Sequence, residues 1–387
     1  MIPYGRQDIS DADIDAVVEI LRSDYLTSGP AVPRFERAVA DYCDVSEGVA
    51  VNSATSALHV ACLALDLGPG DWLWTSSNTF VASANCALYC GAKVDFVDID
   101  SGTYNICPQK LEEKLIKAEQ IGAIPKIVIP VHFAGQPCDM PAIYSLAQKY
   151  GFKIIEDASH SIGAKYNGIK IGSCTHSDIT IFSFHPVKII TTGEGGMATT
   201  NDETVANRLR RLAAHGITRD ELLMEPRPID EIWNYQQIGL GYNYRMTEFQ
   251  AALGLSQMKR IDHFIGRRHD AAHRYDQALE PLPLIIPWQR DQIYSSYHLY
   301  PVRIRKSDCG KTQMQVYNFL LENNVAANVH YIPVHRQPYY EKLGFKVGNF
   351  PEAEKFHREA ISLPMYSALK ERDQKFVIDL LRDILTP

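Results

Sequence analysis

The sequence predicts an α/β fold, with a large domain on a mostly parallel sheet followed by a smaller α+β domain. Three observations carry this. From about residue 35 to 215, short apolar runs alternate with helical patterns, as in a layered domain with a parallel sheet. Polar residues able to do chemistry stand just after several of those runs, where open parallel sheets bind ligands. Past Pro281 the rhythm changes to one clear strand among separated helices.

Taken in order, Val49-Ala50-Val51 reads as the first strand, and Ser53-Ala54-Thr55-Ser56 opens a helix after it. Leu58 to Leu67 reads as an apolar helix stopped by Gly68-Pro69-Gly70. Further strands are predicted at Trp72-Leu73-Trp74, Val94 to Val97, Ile127-Val128-Ile129, Lys153-Ile154-Ile155, Ile179 to Phe182 and Met197 to Thr200. Helices lie between them, such as Ala142 to Tyr150, closed by Gly151. Residues 219 to 240, with Pro226, Pro228 and Gly239, read as an irregular connection. From Thr247 one long helix is expected to run to about Leu279, with Phe249, Leu253, Met258 and Ile261 as apolar positions. The smaller domain has a strand over Tyr300 to Ile304, a helix from Thr312 to Asn323, and helices near 352–360 and 370–385. The expected division is therefore 1–245, including an N-terminal arm to about residue 30, and 246–387.

Composition narrows the function. The chain has 387 residues, 45% hydrophobic and 22% charged, which is ordinary for a globular protein with a large core. A formal charge of −7 argues against a general nucleic-acid binder, yet allows an anionic small molecule held by a local pocket. The eight cysteines form no CxxC pair, and Cys86 and Cys90 fall in an apolar helical stretch that suits core better than metal ligation. No metal site is expected. Neither a signal peptide nor an apolar run near the roughly 20 residues of a membrane span is visible, so a cytoplasmic protein is expected.

The most informative segment is Ser183-Phe184-His185-Pro186-Val187-Lys188, which follows the strand ending at Phe182 and precedes Gly193-Glu194-Gly195-Gly196. A lysine on such a loop can condense with a carbonyl compound, provided that an anion site and an acidic partner lie nearby. Asp157 ends one strand, and Thr55 and Ser56 open a helix whose free N–H groups suit a phosphate. Taken singly, each has a plainer reading: a solvated lysine, a helix-capping aspartate and a capping sequence. Together, at strand ends of one α/β pattern, they read as a pyridoxal phosphate (PLP) site.

The motifs Tyr25-Leu26-Thr27-Ser28-Gly29-Pro30, Asn52-Ser53-Ala54-Thr55-Ser56, Glu156-Asp157-Ala158-Ser159-His160, the Lys188 segment and Gly241-Tyr242-Asn243-Tyr244-Arg245-Met246 span most of the chain. In this order they resemble the DegT/DnrJ/EryC1/StrS sugar aminotransferases. The resemblance implies the aspartate-aminotransferase fold (PLP fold type I) with a seven-stranded sheet. It implies that Lys188 is the nucleophile and proton carrier, that Asp157 faces the pyridine nitrogen, and that Thr55, Ser56 and Ser183 hold the phosphate. It further implies that Phe80 stacks on the ring, that His160 lies by the ring hydroxyl, and that Asn243 reaches the phosphate of a partner subunit in a homodimer with shared sites. Plain core, structural-histidine and turn roles are the alternatives for those three residues. Substrate contacts are expected from Tyr4, from Asp24, Tyr25, Leu26 and Thr27, and from Asn328, Val329, His330 and Tyr331, with His335 a weaker candidate.

His185 and Glu194 stand where many family members carry tyrosine and aspartate. That departure resembles the branch aminating UDP-linked 4-keto sugars with L-glutamate. Amination at C3, or of a dTDP- or GDP-linked sugar, is the neighbouring possibility, and a PLP-binding regulatory protein without turnover is one from another class. A nicotinamide dehydrogenase is disfavoured, because no Gly-x-Gly-x-x-Gly follows the first strand.

Overall fold

The computed structural model describes residues 1–226, 231 and 233–386. Its centre is a sheet of seven strands: β1 (Glu47–Val51), β2 (Trp72–Ser76), β3 (Lys93–Val97), β4 (Ile127–Ile129), β5 (Lys153–Asp157), β6 (Ile179–Ser183) and β7 (Gly196–Thr200). They lie in the order β1-β7-β6-β5-β4-β2-β3. Only β7 is antiparallel to its neighbours, β1 and β6; the remaining pairs are parallel. Every residue of β6 and β7 is buried, as expected of strands covered on both faces. Successive side chains enter opposite layers: Ile181 packs with Leu58 and Val60 below the helix Ala54–Ala64, and Phe182 packs with Phe35, Met197 and Phe264 on the other face. Cys86 and Cys90 are part of the first of these cores.

Three expectations need correction. The helix predicted over Leu58–Leu67 runs from Ala54 to Ala64, because Ser53 caps it by accepting from the Ser56 N–H. Asp66 then turns the chain at φ 61°, so Gly68-Pro69-Gly70 lies in the following turn. The single helix expected from Thr247 is two, Glu248–Met258 and Ile261–Leu279. The break at Lys259–Arg260 lets the Arg260 guanidinium reach Asp13 at 2.6 Å and Asp8 at 3.2 Å, tying in the N-terminal arm. Within 219–240, Gln236–Gln237 pairs antiparallel with Ile217–Thr218; Pro228 lies outside the described residues.

Glu248 explains the entry to the first long helix. It is fully buried and accepts from the Ala31 N–H at 2.6 Å and the Val32 N–H at 3.3 Å, capping Ala31–Cys43 from more than two hundred residues away. A Cβ on Gly29 would come within 2.8 Å of that carboxylate, so only glycine fits there.

In the smaller domain Tyr300–Arg303 pairs antiparallel with Ala360–Leu363, beside the helices Gln313–Glu322 and Glu371–Leu385. The chain begins on this domain, with Ile2–Pro3 parallel to Val325–Ala326, before the helix Asp11–Leu21 packs against Glu248–Met258. At the junction lies Arg268, 1% exposed. Its Nη1 donates to the carbonyls of Tyr297, His298 and Met365 at 3.0–3.2 Å, and no carboxylate pairs with it among the described residues. Burial lowers its pKa to about 9, which leaves a cation at neutral pH. Among the described residues no helix is long and apolar enough to cross a membrane.

Candidate active site

A cavity of about 710 Å³ opens at the carboxyl ends of β1, β2, β5 and β6. Lys188, Asp157, Thr55, Phe80, His160 and Ser183 all line it, as do Tyr4, Asn328, Val329, His330 and Tyr331. Parallel strands bring this about: each delivers its following loop to the same edge of the sheet.

Asp157 is the last residue of β5 and is 4% exposed. Its carboxylate is held from two sides, by the Ser83 hydroxyl on Oδ2 at 2.6 Å and the Ser159 N–H on Oδ1 at 3.1 Å. Thr79 in turn contacts Ser83, at 2.9 Å between hydroxyls. Next to Asp157, Glu156 is buried with the His132 imidazole at 2.7 Å. Burial alone would raise its carboxyl, but hydrogen bonds from His132, Ser177 and Thr180 hold it below the usual carboxylate range. The Cys138 N–H donates to His132 Nδ1, which fixes the proton on Nε2 toward Glu156.

Lys188 stands in the turn after β6, its own N–H bonded to the His185 carbonyl. Burial lowers its amine to a pKa of about 8, against the pull of Asp157 in the other direction. Ring nitrogens surround it. His160 Nδ1 accepts from the Ala134 N–H at 3.3 Å, so its proton is on Nε2, 3.2 Å from the Tyr331 hydroxyl. Burial keeps the Tyr331 phenol protonated. Phe80 is exposed at the cavity, 6.2 Å from the Tyr331 ring, leaving a face open for stacking.

The other side of the cavity is the N-terminus of Ala54–Ala64. Thr55, Ser53 and Ala54 line it; Ser56 does not, and its hydroxyl donates to Asn52 at 2.6 Å. A Cβ on Gly196 would lie 2.5 Å from the Ala54 nitrogen, so glycine lets β7 press against this helix start. Free N–H groups, hydroxyls, a buried carboxylate and a low-pKa amine around one cavity are the donor set that PLP requires.

Several expected residues lie elsewhere. Asp24, Tyr25, Leu26 and Thr27 are exposed and do not line the cavity of their own chain; the Leu26 carbonyl accepts from the Glu248 N–H. Asn243 is exposed too, while Tyr242 and Tyr244 on either side pack on His59. His335 is buried against Glu354 at 3.0 Å, away from the cavity. Sequence reasoning missed Ser83, Ser53, His298 and Gln337. A serine in Val81-Ala82-Ser83-Ala84 carries no motif, and His298 falls in the unremarked stretch before a strand.

Comparison with known proteins agrees with this geometry. The model of the DegT/DnrJ/EryC1/StrS aminotransferase family matches residues 7–382. The chain is 39% identical over 387 residues to the spore coat polysaccharide biosynthesis protein SpsC of Bacillus subtilis (strain 168), covering 99% of this chain and 97% of that one. It is 38% identical over 388 residues to the UDP-4-amino-4,6-dideoxy-N-acetyl-beta-L-altrosamine transaminase of Campylobacter jejuni, covering 100% and 98%. Among solved structures, Helicobacter pylori PseC, an aminotransferase involved in the biosynthesis of pseudoaminic acid, superposes with a TM-score of 0.89 at 28% identity over 99% of each chain. The chain belongs to the DegT/DnrJ/EryC1/StrS aminotransferase family, and is a PLP-dependent sugar aminotransferase of fold type I.

Proposed function

We propose that this enzyme transfers the amino group of L-glutamate to C4 of a UDP-linked 4-keto-6-deoxy-N-acetylhexosamine. The product would be UDP-4-amino-4,6-dideoxy-N-acetyl-β-L-altrosamine, on the route to pseudaminic acid. The convergence of Lys188, Asp157 and the Thr55 helix start on one cavity carries the chemistry. Full-length likeness to the Campylobacter transaminase, together with His185 and Glu194 on the cavity wall, supports the substrate.

When bound, PLP supplies an aldehyde for the lysine and a protonated ring that withdraws electrons from the substrate carbon. Asp157 keeps a proton on the ring nitrogen, and Ser83 with the Ser159 N–H fixes which way its carboxylate faces. Thr55 and Ser183 bind phosphate oxygens beside the helix N-terminus, whereas Ser56 spends its N–H on Ser53 and its hydroxyl on Asn52. Lys188, its pKa brought down to about 8 by burial, takes in its neutral form the proton from the substrate carbon and returns it. Phe80 covers the ring and His160 faces its hydroxyl. Tyr4, Asn328, Val329, His330 and Tyr331 bind the sugar nucleotide. In a homodimer, Asn243 and the Asp24–Thr27 arm serve the partner's cavity, which agrees with their exposure in one chain.

The test is to incubate the protein with glutamate and a panel of UDP-, dTDP- and GDP-linked 4-keto sugars. A missing methyl contact is worth roughly 1–3 kcal/mol, so the N-acetylated 6-deoxyhexose should exceed a UDP-4-keto-pentose by at least about tenfold in kcat/KM. Equal or reversed preference would reject the branch and leave the PLP chemistry standing. The likeness to SpsC favours, as a second reading, another nucleotide-linked keto sugar used for a coat polysaccharide. A C3-amino product, or turnover restricted to dTDP or GDP sugars, would establish a reading of that kind.

A further inference from the structure

Four imidazoles line the cavity with Lys188, and three of them, His160, His298 and His330, are buried. Burial pushes these three below the ordinary histidine range, the lysine charge adds to it, and for His298 the His160 ring adds more than the lysine, so all three are neutral. Two of these three already have a partner at each ring nitrogen. His160 accepts on Nδ1 from Ala134 and meets Tyr331 on Nε2. His330 meets the Ser362 hydroxyl on Nδ1 at 2.9 Å and the Asn328 amide on Nε2 at 3.4 Å.

His298 differs. It is 3% exposed, lines the cavity, and packs against the His160 ring with centroids 4.3 Å apart. Its backbone is fixed, since Arg268 holds its carbonyl and the adjoining Ser296 hydroxyl holds the His160 carbonyl at 2.7 Å. Its Nδ1 is sealed from solvent without a partner, and no hydrogen bond to either ring nitrogen occurs among the described residues. A buried N–H without an acceptor is rarer than a buried lone pair without a donor. The tautomer with its proton on Nε2, at the ring's free edge, is therefore the favoured one.

The cavity needs such a donor. Lys188 is the only lysine or arginine among its described lining residues, and it must be neutral to react. Within the lining that one chain supplies, anionic oxygens brought in by the reactants then meet neutral N–H and O–H groups. We propose that His298 is a binding residue of the reaction, its Nε2–H donating to an anionic oxygen deep in the cavity. Two sources offer that chemistry: the ring oxygen of the cofactor and a carboxylate of the amino donor. The second rests on the glutamate reading above; the first does not.

The experiment compares His298→Phe, which keeps a flat ring against His160 but no N–H, with His298→Gln, which keeps a donor. Cofactor Kd is measured by titrating the apoprotein with PLP, and KM separately for glutamate and for the keto sugar. The phenylalanine protein should raise either cofactor Kd or glutamate KM by about tenfold or more, the worth of one hydrogen bond to a charged group. The keto-sugar KM should stay within about twofold, and glutamine should recover most of the loss. A rise in Kd assigns the cofactor oxygen; a rise in glutamate KM at unchanged Kd assigns the carboxylate. No change in either, a change confined to the keto sugar, or a glutamine protein no better than phenylalanine overturns the proposal. Should the phenylalanine protein not fold, wild-type protein with ¹⁵N-labelled histidine decides. The His298 Nε2–H resonance, identified by its loss in His298→Gln, should move downfield with PLP or glutamate, and a resonance indifferent to both overturns the proposal. If the wild type releases no 2-oxoglutarate from glutamate, the glutamate reading fails, while the Kd and resonance measurements with PLP still judge His298.

Discussion

At the scale of the residue, Lys188 has to lose its proton to act as proposed. Burial brings Lys188 to about 8 from the ordinary lysine value, with Asp157 opposing. The neutral, reactive fraction grows as pH rises through the pKa. In the apoprotein, condensation of PLP at this amine should therefore accelerate with pH and level off above about 8. A stopped-flow rate profile with its midpoint near 10 would contradict this. Borohydride reduction of the holoenzyme should leave the pyridoxyl group on the peptide that contains Lys188, and labelling of another lysine would reject its role. Ser83 is a second case. Its hydrogen bond to Asp157 is charge-assisted, worth about 1.5–3 kcal/mol, so Ser83→Ala should weaken cofactor binding or kcat/KM by roughly tenfold to a hundredfold. Titration with PLP and steady-state kinetics measure both. Lys188 and Asp157 were legible because one follows an apolar run closely and the other ends one, each within a recognisable motif. Ser83 and His298 were not, because what distinguishes them is a partner, or the lack of one, far along the chain.

At the scale of the element, the strands were the most readable part. Buried strands are short runs rich in apolar and β-branched residues, and all seven were visible as such, from Val49-Ala50-Val51 to Met197–Thr200. Helix boundaries were less so. Nothing local at Lys259–Arg260 announces a break; what accompanies it is the pairing of Arg260 with Asp8 and Asp13, remote residues brought there by tertiary packing. The pair Ile217–Thr218 and Gln236–Gln237 was hidden for a similar reason, since two-residue strands leave no periodicity to read. The meeting of β7 with the helix Ala54–Ala64 gives the prediction for this scale. Gly196→Ala would push a methyl group into the Ser53–Ala54 backbone, and overpacking of this kind costs about 1–3 kcal/mol. Because the same helix start is the proposed phosphate site, the variant should lower both the Tm and the affinity for PLP. A normal Tm with normal PLP affinity would show that β7 and the helix move apart freely.

At the scale of the whole molecule, one chain leaves several residues of the proposed site on its outside. Asn243 and the Asp24–Thr27 arm are exposed, and the Leu26 carbonyl bonded to Glu248 brings Tyr25 and Leu26 beside exposed Phe249. Apolar surface grouped with residues proposed for the site suits a symmetric pair of subunits completing each other's cavities. Mixing inactive Lys188→Ala with inactive Asn243→Ala should then restore about a quarter of wild-type activity, since half of randomly exchanged dimers are hybrids with one intact site of two. No recovery, with subunit exchange shown by differently tagged chains, would reject shared sites.

Arg268 carries a consequence for how this protein tolerates change. One guanidinium holds the carbonyls of His298 and Met365, and the Met365 N–H in turn donates to the Tyr4 carbonyl. Two remote stretches of cavity wall, one at the chain's beginning and one near residue 298, thus share a single anchor. Their substitutions should be epistatic. In a double-mutant cycle, Tyr4→Phe and His298→Gln should show a coupling energy of about 0.5–3 kcal/mol, which should vanish in an Arg268→Met background. Variation at either wall is therefore filtered through the other, and sequences drifting at position 4 would be constrained at 298 for as long as the arginine remains.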